Sequence, residues 1–170
     1  GDLYDISYLP ATKPFSIGEE PLGLHSKFSH KDETAYAGYY QVRLQDYDIN
    51  VELTATPRCG VQRYTFPKNG KERYVVLNLA KAMNWDATKN SAITLVDSFT
   101  IEGYRFSDGW ARVQNVWFRT RFSQPIKSIE IEKTPISSDA NGCVAYLTFD
   151  ADGPEQLVLC TPFSGTGKEG

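Results

Sequence analysis

The chain has 170 residues, of which 41% are apolar and 13% aromatic; this is the size and composition of one globular domain with its own core. A formal charge of −3, with basic residues scattered among acids, excludes an electrostatic nucleic-acid footprint. No apolar run approaches the roughly 18–20 residues that span a bilayer.

The first 27 residues are weakly patterned, with Pro10, Pro14 and Pro21 interrupting any regular element; they read as an irregular lead-in or an edge segment. Phe28 to Gly38 reads as a polar loop. From Tyr39 the side chains alternate. Tyr40, Val42 and Leu44 oppose Gln41, Arg43 and Gln45, then Ile49, Val51 and Leu53 oppose Asn50, Glu52 and Thr54. A period of two marks strands with one face in a core. Asp46-Tyr47-Asp48 and Pro57 to Gly60 turn the chain, and Val61 to Phe66 completes an antiparallel meander.

Arg73 to Ala80 is continuously apolar enough to be buried on both faces. Lys81 to Ser91 reads as a loop or a single helical turn. Ala92 to Ser98 and Phe99 to Phe106 form a pair, and Ser107-Asp108-Gly109 a turn. Val113 to Phe122 is a long strand with Val116, Phe118 and Phe122 on one side and Trp117, Arg119 and Arg121 on the other. Ile126 to Glu132 follows. Asp139-Ala140-Asn141-Gly142 is a predicted turn, since Asn-Gly tolerates positive φ. Cys143 to Phe149 and Gln156 to Thr161 are predicted to pair around Asp150 to Gly153. The pattern predicts an all-β antiparallel sandwich of roughly ten strands over residues 28–163, with little or no helix. Residues 164–170 carry no apolar side chain and read as a disordered tail.

The cysteines, Cys59, Cys143 and Cys160, are odd in number and lack Cys-x-x-Cys spacing, which argues against zinc or a redox motif. Cys143 and Cys160 fall on neighbouring predicted strands; the plainer reading is buried free thiols. No phosphate-binding loop, Gly-x-Ser-x-Gly elbow, His-Glu-x-x-His or EF-hand pattern is present, and the residues by themselves point to no metal or cofactor. His30 and Glu33, three apart on a polar loop, have the chemistry of an acid–base pair or a sugar-hydroxyl clamp, or equally of a loop-ordering contact. Arg58 lies in a turn. Arg119 and Arg121, beside Trp117, suit cation–π stacking or a solvated face with cross-strand Glu partners. Trp110, after a turn, is the best placed of Trp85, Trp110 and Trp117 to stack on a sugar ring; core packing is the alternative for each.

Four ordered segments carry a resemblance: Phe28-Ser29-His30-Lys31-Asp32-Glu33-Thr34-Ala35 running into Gly38-Tyr39-Tyr40; Glu52-Leu53-Thr54-Ala55-Thr56 with Arg58 and Gly60; Arg63-Tyr64-Thr65-Phe66-Pro67; and Phe118 to Pro125. Gly103-Tyr104-Arg105 with Gly109-Trp110 adds to them. Together they resemble the amino-terminal region of glycoside hydrolase family 92, exo-acting α-mannosidases that often cleave α-1,2 linkages. Lys31 and Ala37 depart from the usual pattern, Ala37 standing where Pro is common. The resemblance implies a β-sandwich that packs against a separate catalytic α/α barrel of the same parent protein. It also implies a mannose-containing glycan as substrate, a secreted or periplasmic location, and calcium as cofactor of the parent enzyme.

Inverting hydrolysis needs two carboxyl groups about 6.5–9.5 Å apart, and calcium about six or more oxygen ligands. The resemblance puts both sets on the barrel and the start of this chain inside the sandwich region. The chain alone is then expected to be inactive, with His30, Glu33, Arg58 and Trp110 facing the sugar or the neighbouring domain. The alternatives from other classes are a free-standing carbohydrate-binding module and a structural or adhesion domain.

Overall fold

The computed structural model describes residues 6–15, 24–80, 86–109, 111–137 and 140–167. The described residues form twelve strands: β1 (Ser7–Ala11), β2 (Glu33–Tyr36), β3 (Tyr39–Leu44), β4 (Ile49–Thr56), β5 (Cys59–Thr65), β6 (Arg73–Asn78), β7 (Ala87–Asp97), β8 (Thr100–Asp108), β9 (Gln114–Phe122), β10 (Ser128–Ser137), β11 (Ala140–Phe149) and β12 (Gln156–Ser164). The one helical element among them is a 3-10 turn, His30–Asp32. The all-β expectation holds, with twelve strands in place of about ten.

Strand order is β1-β6-β11-β7-β8-β9-β12-β5-β4-β3-β2, with β10 on β11. All pairings are antiparallel except one parallel contact, Asn141 with Asn90, which joins β11 to β7. That bridge joins the β1, β6, β10 and β11 group to the strands from β7 to β2. Residues of β6 and β11 (Val75, Leu77, Ala145, Leu147, Phe149) and of β3–β5, β8, β9 and β12 (Val42, Ile49, Val51, Tyr64, Ile101, Phe118, Phe122, Leu157, Leu159) then share one core. Phe122 and Phe149 meet across it with ring centroids 5.2 Å apart, and the Tyr8 hydroxyl reaches Thr120 Oγ1 at 2.5 Å. The sandwich is therefore two layers of one hydrogen-bonded sheet.

The meander of β3, β4 and β5 follows the predicted register, with Val42 opposite Val51 and Val51 opposite Tyr64. Its turn holds Asp48 at φ 56°, a conformation that short polar side chains tolerate. β6 is buried on both faces, as its unbroken apolar run predicts: Val75 and Leu77 enter the main core, while Val76 joins Ala80, Val144 and Tyr146 in a second cluster against Phe15 and Leu24.

Several local expectations are corrected by long-range pairing. Within the predicted loop Phe28–Gly38, residues 33–36 form β2, because Gly38 at φ +80° closes a two-residue hairpin that lays them on β3. Of the predicted loop Lys81–Ser91, residues 81–85 lie outside the described residues and 87–91 belong to β7, bulged between Thr88 and Asn90 to follow β8. Ser107 and Asp108 end β8 rather than turning. Asn141-Gly142 is extended in β11, held by β10 on one side and the Asn90 contact on the other.

β11 and β12 do not pair with each other. Residues 150–155 cross between layers, and β12 inserts between β9 and β5. Two buried side chains secure the crossing. Arg73 donates to Pro154 O and to Ala151 O (3.2 Å), and Gln124 Nε2 donates to Pro154 O (2.7 Å) and Gln156 O (2.8 Å). Cys143 on β11 and Cys160 on β12 are accordingly not on neighbouring strands. In the lead-in, Ser7–Ala11 pairs with β6 as an edge strand, where Pro10 costs no ladder partner. At the other end Ser164 closes β12.

Candidate functional site

The clearest polar constellation outside the core is built on β2 and its entry turn. Ser29 caps the 3-10 turn, its hydroxyl accepting from Lys31 N–H at 3.2 Å while its carbonyl accepts from Asp32 N–H at 2.9 Å. The turn delivers His30 beside Glu33, where Nδ1 bonds to one carboxylate oxygen. The other oxygen accepts from the Tyr40 hydroxyl at 2.5 Å. Register explains this second contact: Glu33 pairs with Val42 and Ala35 with Tyr40, so Glu33 and Tyr40 are diagonal neighbours on one face.

The electrostatics follow from those bonds. The Tyr40 hydroxyl, and then the His30 ring, hold the Glu33 carboxyl below the usual carboxylate range. Burial, and then the adjacent Glu33, push Tyr40 up to about 12. Glu33 is thus a fixed anion, a poor proton donor at neutral pH but a good orienting acceptor. With Nδ1 engaged, His30 presents Nε2 to solvent, since its side chain is 89% exposed. It suits hydrogen bonding to a hydroxyl more than catalysis, because nothing excludes water there. The exposed Phe28 ring lies edge-on to His30 at 5.6 Å, while Tyr36 stacks on Tyr39 at 4.8 Å on the opposite face of the hairpin.

Arg58 lies elsewhere. It is exposed in the β4–β5 turn, where its carbonyl accepts from Phe163 N–H at 3.2 Å. Val51 shares a row with Glu33, and at about 3.3 Å per residue the Arg58 turn is about 20 Å further along the sheet. Trp110 falls outside the described residues, as does Trp85. Its flank, Gly109, follows β8; Gly103 is the β8 residue level with Phe163 and the Arg58 turn, so Gly109 lies about 20 Å beyond that row. Of the described candidates, His30 and Glu33 therefore lie together at a sheet edge, and Arg58 lies apart from them in the β4–β5 turn.

Beside Gly109 lies a buried ion pair that residue type alone does not reveal. Arg105 is fully buried, pairs with Asp86 at 2.8 Å and donates from Nε to Thr88 Oγ1 at 2.9 Å. Gly109 packs against Asp86 so closely that a Cβ there would lie 2.7 Å from the aspartate Cβ. The remaining outer face is structural. Glu52 takes Arg63 at 2.7 Å through Nε and the Tyr39 hydroxyl at 2.7 Å. Trp117 packs edge-on to Phe106 at 5.1 Å, and Arg121 lies over Phe99 rather than Trp117. Tyr40 and Asp86 escape a reading by residue type because their roles come from neighbours far away in sequence. Among the described residues no group of three His, Cys, Asp or Glu side chains is placed to hold a metal ion. None of the described helices is long and apolar enough to cross a membrane.

Comparison with known proteins agrees with this architecture. The family profile described as Glycosyl hydrolase family 92 N-terminal domain matches residues 1–164. Among solved structures, the family GH92 α-mannosidase BT3965 from Bacteroides thetaiotaomicron superposes with a TM-score of 0.83 at 22% identity, over 97% of this chain and 25% of that one. The family GH92 inverting mannosidase BT2199 from Bacteroides thetaiotaomicron VPI-5482 gives 0.73 at 25% identity, over 96% and 22%. The GH92 family glycosyl hydrolase ccman5 gives 0.72 at 22%, over 94% and 23%. The chain thus spans about a quarter of the solved chains it matches. A comparison with curated proteins gives no match. With its layered all-β fold and a family match over nearly its whole length, this chain belongs to the glycosyl hydrolase family 92 N-terminal domain family.

Proposed function

We propose that the chain is the non-catalytic β domain of an α-mannosidase, packing against a separate catalytic barrel and helping to shape its sugar pocket. The observation that carries this reading is the family match over residues 1–164, in a chain a quarter the length of the mannosidase chains it superposes on. The candidates take different parts of that role. The β2 edge, with exposed Phe28 beside His30 and exposed Tyr36 on the strand's other face, suits contact with the neighbouring domain, since exposed apolar surface beside polar groups marks interaction sites. Arg58 and Trp110 each have the chemistry for the glycan, an arginine donating to hydroxyls and an indole stacking on a sugar face.

Calcium, implied for the parent enzyme, finds no three-residue ligand set among the described residues; its ligands would lie outside them. The proposal is tested by comparing this chain with the longer protein encoded by its gene on an aryl α-mannoside with calcium. Turnover by the longer protein and none by this chain is expected. Turnover by this chain, lost on His30→Ala or Glu33→Gln, would refute it. Saturable heat on titrating the isolated chain with α-1,2-mannobiose would favour a free-standing binding module.

A further inference from the structure

Cys59 and Cys160 occupy neighbouring antiparallel strands. β5 and β12 are in register over Gln156–Pro162, with Val61 opposite Cys160 and Cys59 opposite Pro162. Side chains two apart on a strand share a face, so Cys59, Val61 and Cys160 project together. Their face is opposite that of the fully buried Leu157 and Leu159. The sulphurs are 2.7 Å apart, closer than non-bonded sulphur atoms pack. A shift of about 0.7 Å brings them to the S–S bond length of about 2.05 Å. The approach is set by a long backbone register rather than by one side-chain rotamer. Both side chains are half-buried and within reach of solvent, whereas Cys143 is buried in the other layer.

We infer that Cys59 and Cys160 are a disulfide-forming pair that staples β5 to β12, leaving Cys143 as the one unpaired thiol. The reaction is thiol–disulfide exchange, with a small-molecule or oxidoreductase disulfide as oxidant. One cysteine thiolate attacks that disulfide, giving a mixed disulfide and one released thiol. The second cysteine sulphur attacks the protein sulphur of the mixed bond and displaces the second thiol. Two electrons pass to the oxidant, and the two protein S–H protons end on its thiols. Burial and the adjacent Cys160 sulphur push the Cys59 thiol up to about 11, so exchange quickens as pH rises from neutrality. The staple closes a loop between residues 101 apart in sequence. It also ties the Arg58 turn to Phe163, which already share a backbone hydrogen bond.

The test starts from the reduced chain, incubated with mixed reduced and oxidised glutathione, alkylated in denaturant and digested without reduction for mass spectrometry. One alkylated cysteine, Cys143, and a linked peptide pair holding Cys59 and Cys160 are expected. Reductant should then lower Tm by about 5–15 °C. Cys143→Ala should form the same bridge. Three alkylated cysteines, a bridge through Cys143, or dimers linked between chains would overturn the pairing; an unchanged Tm would overturn the stapling role.

Discussion

Replacing Asp86 by Ala tests how the end of the layer near Gly109 is held. The Arg105 guanidinium has no exposed surface and meets Asp86 at 2.8 Å. Removing one partner of a buried ion pair typically costs about 3–5 kcal/mol, because the desolvated charge that remains loses part of what offsets its burial. Thr88 Oγ1 still accepts from Arg105 Nε, and the Asp86 side chain is 18% exposed, so water can enter part of the vacated space. The lower end, about 3 kcal/mol, is expected. For a chain of this size that lowers Tm by about 6–12 °C. Urea unfolding at pH 7, followed by far-UV circular dichroism, should show the midpoint falling with an unchanged slope. Arg105→Met in the Asp86→Ala background should recover most of the loss, since an apolar pair of similar volume removes the buried charge. A single variant within about 1 kcal/mol of the parent, or a double variant no better than the single, would show that the pair does not carry this region.

Three further outcomes are expected. Gly103→Ala should leave little soluble folded protein, or unfold about 3 kcal/mol more easily. A Cβ there would stand 2.2 Å from the Ala92 carbonyl oxygen and 2.8 Å from the Phe118 ring, and a parent-like urea midpoint would contradict this packing. Ala37→Pro should stabilise by about 0.4–1 kcal/mol, because Ala37 precedes Gly38 in the β2–β3 turn, at the position where a fixed negative φ suits type II geometry; a lower Tm would contradict that turn. The third concerns pH. Arg63, and then Tyr39, hold the Glu52 carboxyl below its ordinary range. Its contribution is then full above the unfolded value of about 4.3 and is lost as pH falls through the native value. Glu52→Gln should cost about 0.5–1 kcal/mol at pH 7 and progressively less as pH falls into the acid range, so thermal melts with a difference that grows toward acid would contradict the sign.

Much of this fold is legible in order along the chain. The alternation of Tyr40, Val42 and Leu44, and of Ile49, Val51 and Leu53, is a local consequence of one-sided burial and needs no distant partner to be read. The continuous run of β6 is equally plain, because both of its faces are covered. β2 is less legible: Glu33-Thr34-Ala35-Tyr36 has no apolar alternation, and it is a strand because the Gly38 turn lays it on β3. The Asn141-Gly142 pair shows the reverse, a turn signal held extended by strands on both sides. Of the candidate site, His30 with Glu33 was readable from spacing, whereas Tyr40 as the partner that keeps Glu33 ionised depended on diagonal register.

The amino-acid sequence by itself determined the all-β class, the β3–β5 meander and the family, since each rests on residues close together in the chain. Only the tertiary structure decided that β12 inserts between β5 and β9 rather than pairing with β11. That choice depends on burying both layers around one core, an interaction between segments about 100 residues apart. The same insertion sets Cys160 beside Cys59. Local periodicity states which face of a strand is buried; it carries no information about which strand lies alongside.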